Sequence, residues 1–396
     1  MKESIDTSLE AHAAFDLHTW QLIDDPRYFF TRTSEFFPHA VIHRDGGISL
    51  LESSPRPEVG AASVSTSGRV LPLDDFLHAA AADGIVVAHR GRLVYERYPR
   101  MRAFEKHILW SVSKTFPSTL IAMLEDETRI DVQEPVERYL FELAESAWRG
   151  TPVIDILDMA SGMGGLESDD PGAYSDPETL FYGYESSLGM LRPVPTATRS
   201  TYDFVAALPR LKPSSENFEY TSVNTFVLGW IIERIEGRPF AEVVANRIWR
   251  RIGAESDAQI IMSKHGAAAT HGGISAVLRD VVRWGLLFTP SWSTVANEPL
   301  ISAAYLQKVQ HRGNSERYRR KLSAEEIRTT PEIDLPRHNT YQWDRVWSDG
   351  DFFKAGFRGQ GLYVSPARDL VIAYVGTRDP GCYPCVRSLA RSGLFA

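Results

Sequence analysis

The chain has 396 residues, 43% hydrophobic and 24% charged, enough to bury one or two ordinary cores and to exclude disorder as its main state. A formal net charge of -8, and a densest basic cluster (Arg317, Arg319, Arg320, Lys321) set beside acidic residues, leave no basic footprint for nucleic acid. The opening MKESIDTSLEAHAAF lacks the charged-then-apolar order of a signal peptide, and no run of about eighteen apolar residues occurs, so a cytoplasmic protein with no membrane partner is expected.

Residues 1–70 read as an N-terminal extension whose Ser53 to Arg69 stretch is an irregular connection. Ile85–His89 and Leu93–Tyr98, separated by Arg90-Gly91-Arg92, predict a tight antiparallel hairpin. Leu228, Ile231, Ile232 and Ile235 follow the i, i+3, i+4, i+7 rule and predict a helix stopped by Gly237 and Pro239. A second helix is expected after Ser275, its N-cap, with Leu278, Val281, Val282 and Leu286 as its apolar stripe. Charged, proline-punctuated residues from about His311 to Asn339 read as a surface insertion. Leu362–Ser365 and Leu370–Val375, flanking Pro366 to Asp369, predict a second hairpin. Strands at both ends and helices between them predict an antiparallel sheet (71–110 and 270–396) with an inserted helical domain (111–269), an α+β fold.

The two cysteines, Cys382 and Cys385, cannot close a structural zinc site alone and read most simply as part of a surface loop. G-x-S-x-G, H-E-x-x-H and G-x-x-x-x-G-K-[ST] signatures are absent. One S-x-x-K is present, Ser111-Val112-Ser113-Lys114, ahead of the apolar residues Leu120, Met123 and Leu124. On a helix that spacing puts both side chains together. A lysine whose pKa is lowered by burial can take a serine's proton, whereas arginine cannot. With 34 serines and eight lysines in the chain, about one such motif arises by chance, so partners are needed. Phe218 to Asn224 opens the Leu228 helix and places Tyr220 and Ser222 on the loop before it; a tyrosine there can carry protons.

Four blocks, beginning WSVSKTF, VIDILDM, ENFEYTS and HGGISAV, with GFRGQGLYVSPARDLVIAYV near the end, resemble the serine β-lactamase and penicillin-recognising family. The resemblance runs from about Gly84 to Thr377 and points to its class C-like branch, with its esterases and 6-aminohexanoate-dimer hydrolases. It implies a nucleophile helix at the junction of sheet and helical domain. Ser111 would attack the carbonyl, Lys114 would accept its proton and Tyr220 would protonate the leaving group. The N–H groups of Ser111 and, by position, Phe357 would form the oxyanion hole.

Departures from the family shape the expectation. Where β-lactamases carry K-T-G, this chain has Lys354-Ala355-Gly356, and its G-F-R-G-Q matches the G-x-H-G-Q of nylon-oligomer hydrolases with Arg358 replacing histidine. A short spacing to the next strand leaves Lys354 out of the site, and Pro117 implies a kink or a later helix start. Ser222, His271 and Arg358 are the candidate pocket residues; His271 reads equally as a hydrogen-bonded loop histidine. The loop Thr377–Cys385 either borders the pocket or is a plain connection, and Asp155 and Asp158 read as helix-face charges. The expected function is a serine hydrolase working through an acyl-enzyme, without cofactor or metal, on a small ester or amide. The alternatives are an acyltransferase on the same scaffold and a catalytically silent binding scaffold; oligomeric state is left open.

Overall fold

The computed structural model describes residues 2–66, 69–167, 171–195, 200–378 and 383–396. Its principal sheet has eight strands in the order β10 (His338–Thr340), β11 (Trp343–Val346), β12 (Phe352–Gly356), β13 (Gln360–Ser365), β14 (Leu370–Gly376), β5 (Ala82–His89), β6 (Arg92–Arg97), β2 (Glu52–Ser53). Neighbours are antiparallel except β2 and β6. The first predicted hairpin is β5–β6: His89 pairs with Arg92, and Arg90 and Gly91 between them have φ of 52° and 74°. Two left-handed residues make the turn whose twist matches the strands, and glycine adopts that conformation without strain. The second hairpin is β13–β14, closed by Ser365 opposite Leu370. β14 then pairs with β5, Ile372 opposite Val87, which joins the two ends of the chain in one sheet.

β5 is buried along its whole length. Successive side chains point to opposite faces, so Val86 and Ala88 enter the larger core under the helices, whereas Ile85 and Val87 pack with Phe76 and Leu389 on the other face. Helices on both faces of an antiparallel sheet, with a mainly helical region between its two halves, make an α+β fold.

The Ser222–Glu236 helix ends at Gly237, which takes φ 64°. The helix expected after Ser275 spans Leu278–Leu286, with Val277 as N-cap. Ser275 lies instead in β9 (Ile274–Ala276), between Ile108 and Gln259, and its hydroxyl meets that of Thr33 at 3.0 Å. Pairing on both sides keeps it extended. β9 belongs to a four-stranded sheet with β1 (His39–Ile42), β8 (Ala258–Ile261) and β7 (His107–Ile108), while β3 (Ser63–Thr66) and β4 (Arg69–Pro72) form a ribbon. The N-terminal segment therefore contributes β1 and β2, and its Trp20, Phe29 and Phe30 lie in the main core.

Two further expectations are corrected. Asp155 and Asp158 are buried: Asp155 accepts from the Ser215 hydroxyl at 2.7 Å, and Asp158 from the Thr340 hydroxyl at 2.7 Å and the Tyr341 N–H at 3.2 Å. Tertiary partners supply what solvent would have. The insertion after His311 lies mostly at the surface, as expected, and carries the short helices Ser315–Arg319 and Ala324–Thr329, with Arg317 and Tyr318 turned inward and buried. Cys385 is buried in the helix Tyr383–Ala390, not part of a surface loop, because that helix covers the outer face of the sheet; Cys382 lies outside the described residues. Among the described residues, no helix is long and apolar enough to cross a membrane.

Candidate active site

Ser111 sits in the tight turn Trp110–Lys114, which runs directly into the helix Thr115–Asp126. Buried Leu109, Trp110 and Val112 anchor the turn. The later start of the α-helix puts Pro117 in its first turn, where a missing N–H forfeits no helical bond. Trp110 has φ 45°, unusual for a bulky residue. Ser111, next in the chain, lines a cavity of about 550 Å³ shared with Glu167, Tyr174, Phe218, Tyr220, Tyr318 and Phe357.

Lys114, one turn on, is wholly buried. Its Nζ lies 3.0 Å from Ser111 Oγ, 2.7 Å from Ser222 Oγ and 2.9 Å from the His271 carbonyl oxygen. Burial brings its pKa down to about 8, helped by the nearby Lys354 cation and opposed by the Glu167 carboxylate. A neutral amine has two N–H donors and one lone pair. Donating to Ser222 Oγ and the His271 carbonyl leaves the lone pair for the Ser111 hydroxyl.

Tyr220 opens onto the same cavity, and its hydroxyl also meets the Ser111 side chain. Burial, reinforced by the Asp344 and Glu167 carboxylates, pushes its phenol well above the usual value, so it stays a proton donor. Lys354 Nζ donates to the Tyr220 oxygen at 2.9 Å and to Asp344 at 2.6 Å, and Asp344 also accepts from the Ala355 N–H at 2.8 Å. Lys354, which the spacing argument leaves out of the site, is wholly buried there. The legible signal was Lys354-Ala355-Gly356, which keeps the first and third residues of K-T-G. On β12 the alternation sends Phe353 to the outer core and Phe352 to the inner one, and Lys354 shares the face of Phe352.

The remaining candidates are spread around this centre. Phe357 follows β12, lines the cavity and stacks on Tyr174 with ring centroids 4.7 Å apart. Ser222 is buried behind Lys114, and its N–H donates to Glu167 at 3.2 Å. The buried His271 ring lies between the Tyr184 hydroxyl, 2.9 Å from Nδ1, and the Glu185 carboxylate, 2.7 Å from Nε2; its carbonyl, rather than its ring, faces Lys114. Arg358 points away from Ser111 to donate to the carbonyls of Gln21, Ile23 and Thr377 at 3.0, 2.7 and 3.1 Å. Glu167, Tyr174 and Tyr318 carried no signal in the sequence, because the first two lie outside any helix or strand and the third sits in a helix of five residues, too short to show a period.

A family model described as Beta-lactamase matches residues 73–383. The chain is 29% identical over 360 residues to the 6-aminohexanoate-dimer hydrolase of Paenarthrobacter ureafaciens, covering 90% of this chain and 86% of that one. A Bacillus anthracis structure provisionally assigned as a 6-aminohexanoate-dimer hydrolase superposes with a TM-score of 0.74 at 24% identity, over 95% of this chain and 94% of that one. EstCE1, described as a hydrolase with promiscuous acyltransferase activity, shares the fold with a TM-score of 0.58 at 14% identity, over 80% of this chain and 97% of that one. Sequence match and fold agree over most of the molecule, and the chain belongs to the β-lactamase family, as a hydrolase of that family.

Proposed function

We propose that the protein is a serine hydrolase that cleaves a small ester or amide through an acyl-enzyme on Ser111. The observation that carries the reading is the buried Lys114 amine, its pKa brought to about 8, within 3.0 Å of a serine hydroxyl at a cavity. Neutral Lys114 takes the Ser111 proton as Oγ attacks the carbonyl carbon. The N–H groups of Ser111 and Phe357 receive the oxyanion. When the intermediate collapses, Tyr220 protonates the leaving group, and the Lys354 ammonium stabilises the phenolate left behind. Water then attacks the acyl-enzyme and gives a proton to that phenolate, while Lys114 returns its proton to Oγ. The sum is one ester or amide bond broken and one water consumed. The resemblance to 6-aminohexanoate-dimer hydrolase supports an amide among the substrates.

Intact-protein mass measurement after brief exposure to p-nitrophenyl esters and to a fluorophosphonate tests the class. Wild type should gain the mass of the acyl or phosphonyl group, and Ser111→Ala should gain nothing. An unmodified wild type, or equal modification of both proteins, overturns the reading.

A further inference from the structure

We propose that residues 20–25 form a bracket that sets the spacing of the two oxyanion donors, with Trp20 and Arg358 as positioning residues. The inference rests on the acyl-enzyme reading above, in which the donors are the N–H groups of Ser111 and Phe357. Two donors act together only at a fixed separation, and a shift of about 1 Å can cost on the order of a hundredfold in rate. Trp110, before the first donor, and Arg358, after the second, have φ of 45° and 60°. Such conformations in residues other than glycine persist only where the surroundings hold them.

The same short stretch of the N-terminal segment meets both. Trp20 stacks on Trp110 with centroids 5.4 Å apart and planes 26° from parallel. Its own position is secured by burial and by its indole N–H, which donates to the Met190 carbonyl at 2.8 Å. The next residues receive the Arg358 guanidinium through the carbonyls of Gln21, Ile23 and Asp24 at 3.0, 2.7 and 3.3 Å. Arg358 Nε donates to Thr377 O at 3.1 Å, and Arg100 ties the Thr377 hydroxyl, at 3.0 Å, to the Asp25 carboxylate, at 2.6 Å. Trp110 and Phe357 meet edge to face at 5.5 Å, so the two held ends also touch. Only a planar fork with five N–H groups spans such a set of carbonyls; an ammonium does not.

The test compares p-nitrophenyl ester kinetics with the Ki of an arylboronic acid, whose tetrahedral serine adduct puts an oxygen in the oxyanion position. Arg358→Gln should lower kcat/KM on the order of tenfold to a hundredfold and weaken the boronate by a similar factor, with KM changed less than about twofold. Arg358→Lys should recover little of this. Trp20→Phe should lose less, with the same pairing of kcat/KM and Ki. If Arg358→Gln fails to fold, the lysine and Trp20→Phe variants decide by the same comparison. Unchanged boronate affinity in folded variants, even with a lower Tm, reduces the bracket to a structural tie and overturns the proposal. A wild type that neither acylates nor binds the boronate defeats the acyl-enzyme reading itself, before any variant is made.

Discussion

The reacting groups are tuned by what surrounds each of them. Lys114 must be neutral to accept a proton, so ester kcat/KM should rise with pH through about 8, where burial places its pKa. The Lys354 cation helps to hold that value down. Lys354→Met removes the cation and leaves the Asp344 carboxylate unneutralised beside the site, and both changes favour protonated Lys114. The rising limb of the pH–rate profile should therefore move to higher pH; a limb that stays in place would separate Lys354 from the electrostatics of the base. Tyr220 makes a second residue-scale prediction. An amine must be protonated to leave whereas p-nitrophenolate departs unaided, so Tyr220→Phe should cost on the order of a hundredfold on an amide and distinctly less on p-nitrophenyl acetate. Equal losses on the two substrates would place Tyr220 in serine activation instead.

At the scale of elements, the site depends on how closely β12 approaches the nucleophile turn. A Cβ added to Gly356 would stand 2.7 Å from the Leu109 carbonyl oxygen, a backbone atom with little freedom to yield. Gly356→Ala should push the end of β12 from the turn and reduce ester kcat by about tenfold or more with KM little changed, as steady-state kinetics would report. Full activity in this variant would show that the approach has slack. The same close packing explains the long reach of the insertion after His311. Its Arg317 meets the buried Asp158 at 3.3 Å, and the neighbouring Tyr318, Lys321 and Leu322 close one wall of the cavity. From the sequence this stretch reads as a surface insertion, because proline and charge mask short helices whose facing is set by partners distant along the chain.

The whole molecule is held by the pairing of β14 with β5, strands from opposite ends of the chain that are central in the sheet and buried on both faces. Removing residues from Leu370 onward strips a strand from between two partners together with the helix over its outer face. Such a truncation should show no cooperative thermal unfolding transition; a sharp one would mean that the remainder folds as a unit. Local patterning was sufficient for the hairpins, the Ser222–Glu236 helix and the Leu278–Leu286 helix, because hydrophobic periodicity and turn residues act within a few residues of each other. The S-x-x-K pair was legible for the same reason: one helical turn fixes its geometry. Lys354 beside Tyr220, the Glu185–His271 pair behind Lys114, buried Asp158 and the grip of Arg358 on residues 21–24 were decided only in three dimensions. Each depends on which strand face or loop meets which, and burial, the force that sets those charges and contacts, is a property of the folded whole rather than of any segment.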